Sequence, residues 1–91
     1  MSYHLDFSDK ANIDIEFHKK SGNKSILKKL YTLLNELAET PEVGTGKPEL
    51  LKHQLTGMWS RRINKEHRII YEIINNEDED RVLIHSVKGH Y

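Results

Sequence analysis

Cysteine is absent from this chain of 91 residues. Disulfides, thiolate zinc sites and a cysteine nucleophile are thereby excluded. Long apolar runs are missing too, and none approaches the roughly 18 residues that a membrane-spanning helix needs. Met1 to Asp9 lacks the basic and apolar regions of a signal peptide. These absences set the expectation of a cytoplasmic protein that does not engage membranes. Net charge is absent as well, with 14 Lys/Arg balancing 14 Asp/Glu. Taken alone, that balance argues against a polyanionic partner.

The distribution of charge argues otherwise. From Lys47 to Tyr71 six cations (Lys47, Lys52, Arg61, Arg62, Lys65, Arg68) face two acids (Glu49, Glu66), a net of +4. Glu72 and the run Glu77 to Asp80 follow and cancel the total without having to share a surface. A polyanion responds to charge within a Debye length of about 10 Å, so a local basic patch counts for more than the sum. The competing interpretation is a solvated charged face.

No repeat, low-complexity tract or linker divides the chain, so a single domain over residues 1–91 is expected. A domain of this size buries roughly 60–65% of its unfolded surface, so a partner or a second copy would add useful stability. Tyr3, Leu5 and Phe7 alternate with polar residues and predict a short strand. Ser8 is a natural cap for a helix to about Lys20, with Ile13 and Phe17 one turn apart and Gly22 as its stop. Asn23 or Ser25 opens a second helix whose apolar positions from Ile26 to Ala38 follow a period of 3.6. Pro41 ends it, and Pro41 to Pro48 is read as a loop. The period then changes to two, predicting strands over Leu55 to Ile63, Arg68 to Ile74 and Arg81 to Val87. The order β-α-α-β-β-β predicts an α+β fold, with two N-terminal helices packed on a mostly antiparallel sheet. The other face of such a sheet is open to solvent, and so to substrate.

Several residues on the C-terminal half carry chemistry. An odd hairpin loop between Ile63 and Arg68 would put Arg62 and Arg68 on the same face, and a three-residue loop would put them directly opposite. Like charges so placed repel, unless a phosphate lies between their guanidinium forks. Glu49 stands between Lys47 and Lys52 and becomes a base if something holds it against a proton, although a loop glutamate ordinarily faces water. His90 is a histidine next to the end of the sequence. His53, His67 and His85 have no partners at recognisable metal spacing, so no metal and no cofactor is expected. Trp59 is expected in the core.

In order along the chain stand Lys47-Pro48-Glu49, Leu51-Lys52-His53, Gly57-Met58-Trp59-Ser60-Arg61-Arg62-Ile63, Glu66-His67-Arg68-Ile69-Ile70-Tyr71 and the terminal His90-Tyr91. With this set the chain closely resembles the YoeB/Txe toxins of bacterial toxin–antitoxin systems, within the RelE superfamily and its microbial-ribonuclease-like fold. The likeness is dense from Gly44 to Ile74 and from Val87 to Tyr91. It departs in a slightly longer Met1 to Asp9 and an extended acidic connection at Glu77 to Asp80, neither at a site position.

The resemblance implies a metal-independent endoribonuclease that cuts messenger RNA on the ribosome and so inhibits translation. It implies Glu49 as general base, His90 as general acid, Arg68 as the cation on the reacting phosphate and Tyr91 as a further site residue. Lys47, Lys52 and Arg62 become substrate-binding cations. It also implies a YefM/Axe-like antitoxin as partner, and a second copy of the chain as another. The residue types suit the reaction, because RNA supplies its own nucleophile, the 2′-hydroxyl. What remains is a base, an acid and positive charge, each proton transfer contributing about 10²–10⁴-fold. Two alternatives stay open: a module that binds ribosome or antitoxin without cutting, and a ParE-like gyrase poison, although those relatives lack the Glu, Arg and His-Tyr set.

Overall fold

The computed structural model describes residues 2–89. Strand β1 (His4–Phe7) leads into helix α1 (Asp9–Ser21) and helix α2 (Lys24–Glu39). After a long connection come β2 (Glu49–Leu50), a 3-10 turn (His53–Leu55), β3 (Trp59–Arg62), β4 (Arg68–Asn75) and β5 (Asp80–Ser86). The strands form one sheet in the order β1-β5-β4-β3-β2. β1 lies parallel to β5 and every other pair is antiparallel. The α+β expectation therefore holds.

Local chemistry explains the helix boundaries. The Ser8 hydroxyl accepts from the Ala11 N–H (3.0 Å) and donates to the His85 carbonyl (2.9 Å), so one cap starts α1 and ties it to β5. Gly22 stops α1 in the left-handed region at φ 73°. The Asn23 side-chain Oδ1 accepts from the Ile26 N–H (3.1 Å) and starts α2. The period of α2 buries Leu30, Leu33, Leu34 and Leu37 against Ile69, Tyr71, Val82 and Ile84 of the sheet. Trp59 packs, partly buried, against the same cluster.

Three elements depart from the sequence expectation. Glu49–Leu50 pairs with β3 where only loop was expected, since two residues are too few to show a period. The strand expected from Leu55 begins only at Trp59, because the 3-10 turn and a Met58 N–H to Leu55 carbonyl bond (3.0 Å) curl the chain before it. Helix α1 turns its apolar pair outward, with Ile13 68% and Phe17 46% exposed. Its buried residues are Ala11, Asp14 and His18.

Candidate active site and nucleic-acid interface

Period two along β3 sends Trp59 and Arg61 to the helix-covered face and Ser60 and Arg62 to the open one. Arg62 pairs directly with Arg68, and Ser60 stands between Ile70 of β4 and Glu49 of β2. Directly paired residues point to the same side of a sheet. Glu49, Ser60, Arg62 and Arg68 therefore share the open face. The register follows from the loop: the Ile63 N–H donates to the His67 carbonyl (3.0 Å), leaving Asn64, Lys65 and Glu66 between them. The Asn64 side chain accepts from the Glu66 and His67 N–H groups (2.9 and 2.8 Å) and holds that turn.

Arg61, counted above in the basic patch, is fully buried and contributes nothing to the surface charge. Its guanidinium donates to Glu36 (3.1 Å), the Val43 carbonyl (2.7 Å), the Thr45 carbonyl (3.4 Å), the Thr40 carbonyl and the Tyr71 hydroxyl (3.3 Å). The Tyr71 hydroxyl in turn donates to the Pro41 carbonyl (2.6 Å), and burial pushes that phenol above its ordinary value. Glu36 also accepts from the Thr45 N–H (2.8 Å). That bond first, with the Arg61 guanidinium beside it, holds its carboxyl below the ordinary carboxylate value. One buried arginine thus anchors the whole connection from Thr40 to Thr45.

The anchored connection delivers Lys47 to the site. The Arg62 N–H donates to the Gly46 carbonyl at 2.7 Å. The two backbones lie so close that a Cβ on residue 46 would stand 2.9 Å from the Arg62 carbonyl oxygen, and only glycine fits. The next residue, Lys47, sits at φ 53°, a left-handed conformation costly for a lysine and immediately before Pro48. Its position is bought with strain.

Lys47, Arg62 and Arg68 line one concavity of about 580 Å³, joined by Lys29 of α2 and Lys65 of the hairpin loop. Among the described residues no acid lines it. A cluster of five cations around one hollow repels itself and is relieved by an anion with several oxygens. Glu49 and Lys52 line a separate concavity of about 560 Å³ with His53 and Leu55. The structure thus brings the substrate-binding candidates Lys47 and Arg62 together with Arg68, sets Glu49 on the same face as Arg62, and leaves Lys52 in the separate concavity with Glu49. His90 and Tyr91 lie outside the described residues, and the last described residue, Gly89, accepts through its carbonyl from the Arg68 N–H (3.0 Å).

Lys29 was not singled out from the sequence. It sits three residues after Ile26 and four before Leu33, on the edge of the apolar stripe, which was the available signal. Ser60 was also passed over. Its hydroxyl is fully buried and has no hydrogen-bond partner among the described residues.

A cationic hollow at the β3–β4 hairpin of a helix-backed antiparallel sheet, with Glu49 one strand away, goes with the fold of a RelE-like toxin. Residues 7–91 match the model of the YoeB-like toxin of bacterial type II toxin–antitoxin systems. Toxin YoeB of Escherichia coli K12 is 45% identical over 69 residues, covering 76% of this chain and 77% of that protein. A YoeB/ParE toxin from Agrobacterium tumefaciens superposes with a TM-score of 0.88 at 33% identity, over 97% of this chain and 99% of that one. The YoeB–YefM complex from Staphylococcus aureus contains a chain with a TM-score of 0.80 at 38% identity, covering all of both chains. The chain belongs to the YoeB family of type II toxins.

Proposed function

We propose that this toxin is a metal-independent endoribonuclease that cuts messenger RNA held on the ribosome. The observation that carries this reading is the register: Glu49, Arg62 and Arg68 on one open face, with Arg62 and Arg68 directly paired. In the reaction, the Glu49 carboxylate takes the proton of the 2′-hydroxyl as its oxygen attacks phosphorus. The bond from phosphorus to the 5′-oxygen breaks, and His90 protonates that oxygen as it leaves. Products are a 2′,3′-cyclic phosphate and a 5′-hydroxyl. Arg68 stabilises the charge that develops on the phosphoryl oxygens, a contribution that grows as water is excluded. Lys47, Lys52 and Arg62 hold the flanking backbone, and Tyr91 acts as a further site residue.

Glu49 is exposed. Desolvation favours the protonated form of a carboxylate and so strengthens it as a base. Covering of Glu49 by a message seated on the ribosome supplies that desolvation, which gives the ribosome requirement a physical cause. The complex of the S. aureus relative with YefM supports a cognate antitoxin as this chain's partner. No described helix is long and apolar enough to cross a membrane, and a ribosomal substrate places the protein in the cytoplasm.

The test is incubation of purified protein with programmed ribosomes and message in EDTA. Cleavage with cyclic-phosphate ends is expected in wild type, with losses of at least about 10²-fold in Glu49→Ala, Arg68→Ala and His90→Gln. Ribosome binding without cleavage by wild type would instead identify a non-cutting module.

A further inference from the structure

Helix α1 buries a carboxylate and an imidazole: Asp14 is 4% and His18 1% exposed. Such groups destabilise a core unless their hydrogen bonds are made. Both are spent on the backbone of one distant residue. The Val87 N–H donates to Asp14 Oδ2 (3.1 Å), and His18 Nε2 donates to the Val87 carbonyl (2.8 Å). Lys10 Nζ donates to both carboxylate oxygens of Asp14 (3.1 and 2.9 Å).

The contact chain continues to the site. The His18 ring meets the His67 ring edge to face, 4.7 Å between centroids at 78°. His67 Nδ1 accepts from the Gly89 N–H at 2.9 Å. Val87 to Gly89 lie beyond β5, which ends at Ser86. A segment past the last strand has no ladder hydrogen bonds to hold it and is ordinarily loosely held. Here both its ends are gripped by side chains from the opposite end of the chain and from the β3–β4 loop. His90 follows Gly89 directly in sequence.

We propose that Asp14, His18 and His67 form a clamp that fixes Val87 to Gly89, the segment leading in sequence to the general acid His90, and that the acid step depends on it. This rests on the reading of His90 as that acid. The three are positioning residues: their bonds are to backbone, and their effect is on where the chain leads next. A displacement of about 1 Å at a reacting group is enough to lower a rate by roughly 10²-fold.

The test uses ribosomes programmed with two messages, one natural and one with sulfur in place of the 5′-oxygen at the cut bond. A thiolate leaves without a proton, so the modified message needs no general acid. Single-turnover cleavage would be compared for wild type, His90→Gln, His67→Leu and Asp14→Leu. Two conservative variants, His67→Asn and Asp14→Asn, keep a side-chain oxygen that can accept from Gly89 or Val87. Circular dichroism and thermal unfolding would establish that each variant is folded. His67 is half-buried and carries the test if Asp14→Leu does not fold.

The expected result is a kcat about 10²-fold lower for His67→Leu on the natural message, with KM unchanged. On the sulfur message the deficit should shrink to a few-fold, as for His90→Gln, and the Asn variants should recover most of the natural rate. Rescue of His90→Gln without rescue of His67→Leu overturns the clamp and leaves the acid assignment intact. Natural-message cleavage by His67→Leu at the wild-type rate overturns it equally. Failure of the sulfur message to rescue His90→Gln overturns the acid assignment, and the clamp's purpose with it.

Discussion

At the level of single residues, neighbours in sequence have opposite fates. Arg61 and Arg62 are chemically identical, yet one is buried among carbonyl oxygens and the other lines an open cationic hollow. Lys47 illustrates the tension between stability and function at a single position. It holds a left-handed φ of 53°, a conformation that disfavours a side chain by about 1–2 kcal/mol. Lys47→Gly is expected to raise unfolding stability by up to about 1 kcal/mol, since glycine loses more chain entropy and offsets part of the relief. The same variant should cut message more slowly, having lost a cation from the site. Urea unfolding beside the ribosome assay checks both halves, and a destabilised Lys47→Gly would show that the strain argument is mistaken.

Among the elements, the connection from Thr40 to Lys47 has no regular structure, yet it delivers a site residue to its place. Glu36 and Arg61 do the holding. Because the folded protein keeps the Glu36 carboxyl below its ordinary value, its stabilising contribution is fully present above the unfolded value, near 4.3. It is lost as pH falls from there through the folded value. Glu36→Gln should therefore be less stable than wild type at pH 7, and the gap should narrow steadily below about pH 4.5. Chemical unfolding of both proteins between pH 3 and 7 measures this, and a gap independent of pH would contradict the charge argument. Caps, by contrast, are local events. Ser8, Gly22 and Asn23 were readable because the helix groups they cap lie within a few residues. Helix α1's inward face was not readable, because Asp14 finds its partner 73 residues away at Val87.

For the whole molecule, zero net charge conceals a separation. β4 runs eight residues from Arg68 beside the cationic hollow to Asn75 beside the acidic hairpin, about 23 Å of strand. That is more than two Debye lengths at 0.1 M salt, so an RNA at one end feels little of the other. The molecule measures 40 × 28 × 25 Å, so the two ends of β4 are far enough apart to present different local charge. Five cations around one hollow should give a slope of about −3.5 for log K of single-stranded RNA binding against log salt. In a Glu49→Ala background, expected not to cut, Lys29→Ala should bring the slope about 0.7 closer to zero. Fluorescence anisotropy across a salt series measures it, and an unchanged slope would remove Lys29 from the interface.

By itself the sequence determined the order of elements, the helix caps, the family resemblance and the possibility that Arg62 and Arg68 share a face. These depend on period, on local hydrogen bonds or on ordered motifs, all of which are written along the chain. Tertiary structure decided which face of β3 is covered, and so which of two adjacent arginines reaches the cationic hollow. It also decided that Lys29 joins the site from α2, that Glu49 starts a strand, and that α1 spends its buried polar groups on Val87. The physical reason is common to all four. Periodicity tells which residues point the same way, but only packing against distant segments tells which way that is.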